Sequence, residues 1–98
     1  MLYRHGDVLV QQVQTLPDSH PRPGVTLAHG EVTGHSHRFS EPGSVQLHQS
    51  GRDLYVQVLT DHADLIHEEH RTIRLPRGVY RVWMQREYTP AGIRRVYD

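Results

Sequence analysis

Leu54-Tyr55-Val56-Gln57-Val58-Leu59-Thr60 alternates without interruption, with Leu54, Val56 and Val58 on one face of an extended chain and Tyr55, Gln57 and Leu59 on the other. That period of two suits a pleated, half-buried strand and not a helix of about 3.6 residues per turn. Ser50-Gly51-Arg52-Asp53 is turn chemistry on one side, and Asp61-His62-Ala63-Asp64 reads as a hairpin connection on the other. Moving toward the N-terminus, Val45–His48 predicts a short strand preceded by the turn Glu41-Pro42-Gly43-Ser44. Val25–Phe39 predicts one long strand, or two with a bend at Gly30. Leu16–Gly24 contains three prolines and a glycine and is expected to be a loop without a ladder strand. Val8–Val13 follows Gly6-Asp7 as another strand.

Toward the C-terminus, Thr72–Leu75 and Val79–Glu87 flank Pro76-Arg77-Gly78, a further expected turn. Nowhere does an apolar stripe at helical spacing persist. The expected fold is therefore all-β, a single small β-barrel or sandwich. Residues 1–88 form its one domain, and residues 89–98 form a tail that docks on the body or on a neighbouring subunit.

The composition narrows the function classes. A chain of 98 residues, 36% of them hydrophobic, supports one thin core. It has no cysteine, which excludes a disulfide scaffold, thiolate metal ligands and a cysteine nucleophile. No apolar run approaches the roughly 18 residues that span a bilayer, and no signal-peptide core follows Met1, so a cytoplasmic protein is expected. All 11 basic residues are arginine, as a GC-rich genome would produce. Residues 1–70 hold four arginines against nine acids, and residues 71–98 hold seven against two, giving formal charges of −5 and +5. Such asymmetry fits a phosphate-binding surface or complementary faces of a homo-oligomer.

Nine histidines are many for this length. In Gly30-Glu31-Val32-Thr33-Gly34-His35-Ser36-His37-Arg38-Phe39-Ser40-Glu41, period two puts Glu31, His35, His37 and Phe39 on the face of Leu27, unless a bulge at Gly30 or Gly34 intervenes. If Leu27 and Phe39 point inward, the ionisable groups do too, and a buried ion must be neutral, paired or bound to a metal. Two imidazoles with a carboxylate suit a divalent transition metal: Zn, Fe, Ni, Mn or Co. His67-Glu68-Glu69-His70 lacks the spacing of a helical zinc motif. On a straight strand His67 and His70 lie on opposite faces, so at most one joins an interior site unless a turn intervenes. His70 is the better candidate of the two, and His48 is a further one. His5, His20, His29 and His62 are expected to be ordinary surface or core residues.

The Gly30–Glu41 stretch resembles the first motif of the cupins, a glycine followed by His-x-His and then Glu41, and Pro76-Arg77-Gly78 is similar to the Pro-x-Gly turn of their second motif. Arg81 stands where that motif has its histidine. The resemblance implies a small barrel with an interior metal on His35, His37 and Glu41, and it implies no particular reaction. The whole chain also resembles a small uncharacterised bacterial family through Gly6-Asp7-Val8-Leu9, Gly30–His35 and Gln85-Arg86-Glu87-Tyr88. A weaker similarity, through Gly6–Val10 and Gly30–Val32, is to the co-chaperonin barrel and implies an oligomeric scaffold.

The leading expectation is thus a metal-binding small β-barrel protein of unknown reaction, with a small-molecule substrate among its candidate partners. The expected ligands come from His35, His37, Glu41, Glu31 and His70. One alternative is an interaction module that meets nucleic acid or a protein through its arginine-rich third, with Tyr80, Trp83 and Tyr88 available for stacking. The other is an assembly that responds to pH through its histidines.

Overall fold

The computed structural model of the chain describes residues 1–30, 34–89 and 92–95, with side chains placed as far as Gln85. Among the described residues, ten strands and one 3₁₀ turn, Pro42–Ser44, follow one another. The strands are β1 (Leu2–His5), β2 (Val8–Val13), β3 (His20–Arg22), β4 (Thr26–His29), β5 (Ser36–Phe39), β6 (Val45–Ser50), β7 (Asp53–Ile66), β8 (Ile73–Met84), β9 (Arg86–Thr89) and β10 (Gly92–Arg95). All pairings are antiparallel. The main sheet runs β1-β2-β8-β7-β5-β4, with β6 and β3 branching from β7, and its ladder does not close into a ring. No helix among the described residues is long and apolar enough to cross a membrane.

The long hairpin β7–β8 organises everything else. Its register jumps between Val58↔Gly78 and His62↔Pro76, so three residues of β7 oppose one of β8. This bulge bends both strands and divides the sheet into two limbs. In the first limb, the start of β7 pairs with β6 and the end of β8 pairs with β2. In the second, the end of β7 pairs with β5. The limbs share one core: Val8, Val10, Val56 and Tyr80 from the first meet Phe39, Leu65 and Leu75 from the second. Tyr80 is fully buried, and burial raises its phenol to a pKa of about 12. Its hydroxyl donates to the Pro76 carbonyl at 2.6 Å, which satisfies the one polar atom it brings into the core.

Three segments expected to be turns or loops are strands. Asp61–Asp64 continues β7 through the bulge, so Ala63 and Leu65 point into the core. Pro76-Arg77-Gly78 likewise lies within β8. Pro76 is tolerated because β8 has no β2 partner at that point, so no second ladder asks for the missing N–H. Pro21 sits in β3, which among the described residues pairs with β6 alone. Val25–Phe39 divides into β4 and β5. The expected domain boundary at residue 88 falls inside β9, which pairs with β10 as a separate two-stranded sheet. Docking of residues 89–98 would rest on side chains outside the described set.

Candidate metal centre

Three segments far apart in sequence converge where the two limbs meet. The first is the β1–β2 hairpin, whose register His5↔Val8 leaves Gly6 and Asp7 as a two-residue turn. Gly6 has a φ of 64°, a left-handed conformation that a Cβ would oppose. The turn places His5 and Asp7 in the interior, 2% and 5% exposed. The second segment is β5, where alternation buries His37 together with Phe39. The third is the turn after β7, His67–His70. Because β7 ends at Ile66, His67 and His70 are freed from strand parity and both reach the cluster.

Four imidazoles result. The His37 ring centroid lies 4.3 Å from that of His67, 4.9 Å from His5 and 5.6 Å from His70, and His67 and His70 are 4.5 Å apart. One nitrogen from each of His37, His67 and His70 falls within 4.8 Å of the others. His5 Nδ1 and His37 Nδ1 are hydrogen-bonded at 2.9 Å, so one of them donates. When His37 donates, its Nε2 presents a lone pair, the orientation that a bonded outer imidazole imposes on a ligand. The Asp7 carboxylate is 3.5 Å from that same Nε2. The Glu69 N–H donates to His67 Nδ1 at 3.0 Å and fixes that ring. In the neutral ring the proton then sits on Nε2 and must leave, or move to Nδ1, when a cation binds there. His70 Nε2 is buried without a hydrogen-bond partner.

Burial, followed by the nearby His37, lowers the His5 pKa to about 4, against a backbone hydrogen bond with Arg71 that raises it. His5 is therefore neutral at pH 7. The unfolded chain takes up that proton near pH 6.5 and the folded chain only near pH 4, so stability falls as pH drops through this window. The metal-free protein should lose about 2 kcal/mol between pH 7 and pH 5 from this group alone. Urea unfolding at both values checks it. A His5→Gln variant should show a flatter pH dependence, and an identical slope would remove His5 as the cause.

Beside the cluster lies a second, more exposed group, His35, His67 and Glu68, with one ligand atom from each again within 4.8 Å of the others. His35 Nδ1 meets Glu69 Oε1 at 2.8 Å. Glu68 accepts the Ser36 N–H at 3.1 Å, and its other oxygen lies 2.9 Å from Arg38 Nη1. The Ser36 N–H foremost, with Arg38 contributing less, holds its carboxyl below the usual range.

The five residues expected as ligands fare differently. His37 and His70 lie in the cluster. His35 precedes β5, because Gly34 at φ 77° interrupts the period-two register, and it reaches His67 in the outer group. Glu41 is placed elsewhere. It is exposed and lines a cleft of about 550 Å³ with Ser40, Thr60, Asp61, His62 and Asp64. It precedes the 3₁₀ turn, where its carbonyl accepts from Ser44 Oγ at 2.6 Å. Glu31 lies outside the described residues. His48 is on β6 opposite Tyr55, away from both groups. Sequence reasoning missed His5 and Asp7, and it joined His67 with His70 only on condition that a turn intervened, which is met where β7 ends at Ile66. The signal for the first two was available: Gly6-Asp7 between Tyr3-Arg4-His5 and Val8-Leu9-Val10 is hairpin chemistry.

The arginine excess meets acids across the β7–β8 ladder. Arg74 pairs with Asp64 at 2.9 Å, Arg77 with Asp61 at 3.2 Å and Arg81 with Asp53 at 3.5 Å. Arg81 also covers the Trp83 ring at 5.1 Å.

Comparison with protein families matches residues 4–85 to a domain of unknown function, DUF8820, and the chain belongs to that family. No curated protein and no solved structure gives a significant match.

Proposed function

We propose that this member of the DUF8820 family is a metal-binding protein, holding one divalent transition cation on His37, His67 and His70. The observation that carries this reading is the convergence of three imidazole nitrogens, one each from His37, His67 and His70, within 4.8 Å, together with a His70 Nε2 that is buried without a hydrogen-bond partner. Native proteins seldom leave such a nitrogen unsatisfied, and an ion is one of the standard reasons. Nitrogen donors favour zinc, nickel, cobalt or iron over manganese. His5, bonded to His37 Nδ1, acts as the outer group that orients His37, and Asp7, 3.5 Å from His37 Nε2, adds a carboxylate beside the cation's position. Three histidines leave a fourth position for water or a small-molecule substrate, the arrangement of Lewis-acid centres.

A small cupin-like barrel is the finer architectural reading. It is supported by the interior His37 of the His-x-His motif, while the carboxylate of that motif, Glu41, faces a different cleft. An arginine-based nucleic-acid surface draws less support, because Arg74, Arg77 and Arg81 already face aspartates.

Elemental analysis of protein purified without chelators tests the reading. About one ion per chain is expected, and it should be lost in His37→Ala and in His70→Ala. Protein that arrives metal-free and takes up no zinc on titration would overturn it.

A further inference from the structure

The outer group shares one ligand with the inner one. His67, 7% exposed, belongs to both sets, which otherwise differ in exposure and chemistry. The inner set adds His37, fully buried, and His70. The outer set adds His35 and Glu68, whose side chains are 27% and 39% exposed. Solvent thus meets His35 and Glu68 before it meets His37. The outer set counts an exposed carboxylate, Glu68, among its ligands, with Glu69 beside it on His35, whereas the inner ligands are all imidazoles and the carboxylate near them, Asp7, is buried.

We propose that His35, His67 and Glu68 form a second, outer cation site through which the metal passes to the inner one. This proposal rests on the reading of the inner cluster as a metal centre. The carboxylate attracts the hydrated cation and replaces some of its water, and His35 supplies the first nitrogen. His67 then serves as the pivot: it holds the cation while His37 and His70 replace His35 and Glu68, so the ion is never released between the two positions. Apart from the His67 proton, which leaves to solvent or moves to the other ring nitrogen as the cation first binds, only coordination bonds change, and the displaced groups regain existing partners, His35 with Glu69 and Glu68 with the Ser36 N–H and Arg38. Arg38 is the counterweight. Its guanidinium occupies the carboxylate that the cation needs, so the outer site binds weakly and passes its metal inward.

Co(II) is the probe, because its visible absorption reports the ligand set. In stopped-flow mixing with the wild-type chain, Glu68→Gln should slow inner-site loading by about tenfold, the effect of removing one steering and coordinating charge at an entrance. Release into excess chelator should slow by the same factor, since both directions use the same route. A merely structural role for Glu68 would change only one of the two rates. Equilibrium titration of His37→Ala/His70→Ala should retain one weaker site, tightened by adding Arg38→Met and abolished by adding Glu68→Gln.

Glu68→Gln loading and releasing at wild-type rates would overturn the outer site while leaving the inner centre intact. If the double variant does not fold, the wild-type kinetics decide alone. Wild-type protein that binds no Co(II) at all would overturn both readings, and that result is distinguishable from the first.

Discussion

Gly6→Ala is expected to remove most of the metal affinity while leaving a folded protein. Two effects coincide at this residue. Its φ of 64° is left-handed, which adds about 1–2 kcal/mol for a residue with a Cβ. That Cβ would also stand 2.6 Å from His70 Nε2 and 3.0 Å from His37 Cε1, so both rings must retreat. Their nitrogens are two of the three proposed donors. Zinc affinity should fall by at least about 10–100-fold, the range seen when groups orienting a metal ligand are disturbed.

Gly24→Ala separates the two effects. Gly24 also has positive φ, 91°, but nothing lies within 4 Å of its would-be Cβ. It should show the conformational loss in stability with zinc affinity retained. Competition titration of both variants reads the contrast, and equal affinity in the two would detach Gly6 from the site.

Zinc at about 100 times its dissociation constant should raise the melting temperature by about 10–20 °C. Binding to the folded state alone contributes about 2.7 kcal/mol at that saturation, and a domain of this size gains roughly 4–8 °C per kcal/mol. A chelator should reverse the increment. In His37→Ala the relevant reading is that zinc increment, because truncating a fully buried ring lowers the baseline for reasons of packing as well. The increment should vanish there. An increment of wild-type size in His37→Ala would place the zinc elsewhere on the chain.

The strand class was legible because it depends on local pattern. Val56 and Val58 are buried, as their alternation implies, and so are His37 and Phe39. The hairpin β7–β8 was not legible as one unit, because Asp61-His62 and Pro76-Arg77-Gly78 look like breaks. Both are absorbed by a bulge whose existence depends on the facing strand, and a single segment carries no trace of that partner.

The site shows the same division. His-x-His on an apolar face predicted an interior His37, and His37 is buried. Parity failed for His35 because Gly34, at positive φ, lies two residues before β5 begins and leaves His35 outside the strand. His67 and His70 appeared incompatible while they were imagined on a strand, and they join because β7 stops at Ile66. His5 carries no motif. Its role comes from pairing at distance, through a hairpin that lays residue 5 against residue 37. Gly6-Asp7 marks the hairpin that carries His5, but which residues that hairpin meets is set by topology, which composition and spacing do not encode.

The charge asymmetry also has a structural resolution. The acids of β7 and the arginines of β8 are cross-strand partners, so the −5 and +5 parts of the chain meet within one hairpin. Exposed pairs of this kind add little stability each, about 0–1 kcal/mol, but they oppose register slips in a strand pair that the bulge already interrupts.

The central claim is a claim about ligands, and X-ray absorption at the zinc edge reads them directly. Protein loaded with one equivalent of zinc should show a four-coordinate shell with three imidazoles at about 2.0–2.1 Å and one lighter oxygen donor. His70→Ala loses its ion on purification, but loaded at zinc high enough to fill the weakened site it should show one imidazole fewer. A shell made only of oxygen, or an imidazole count unchanged in His70→Ala, would contradict the account.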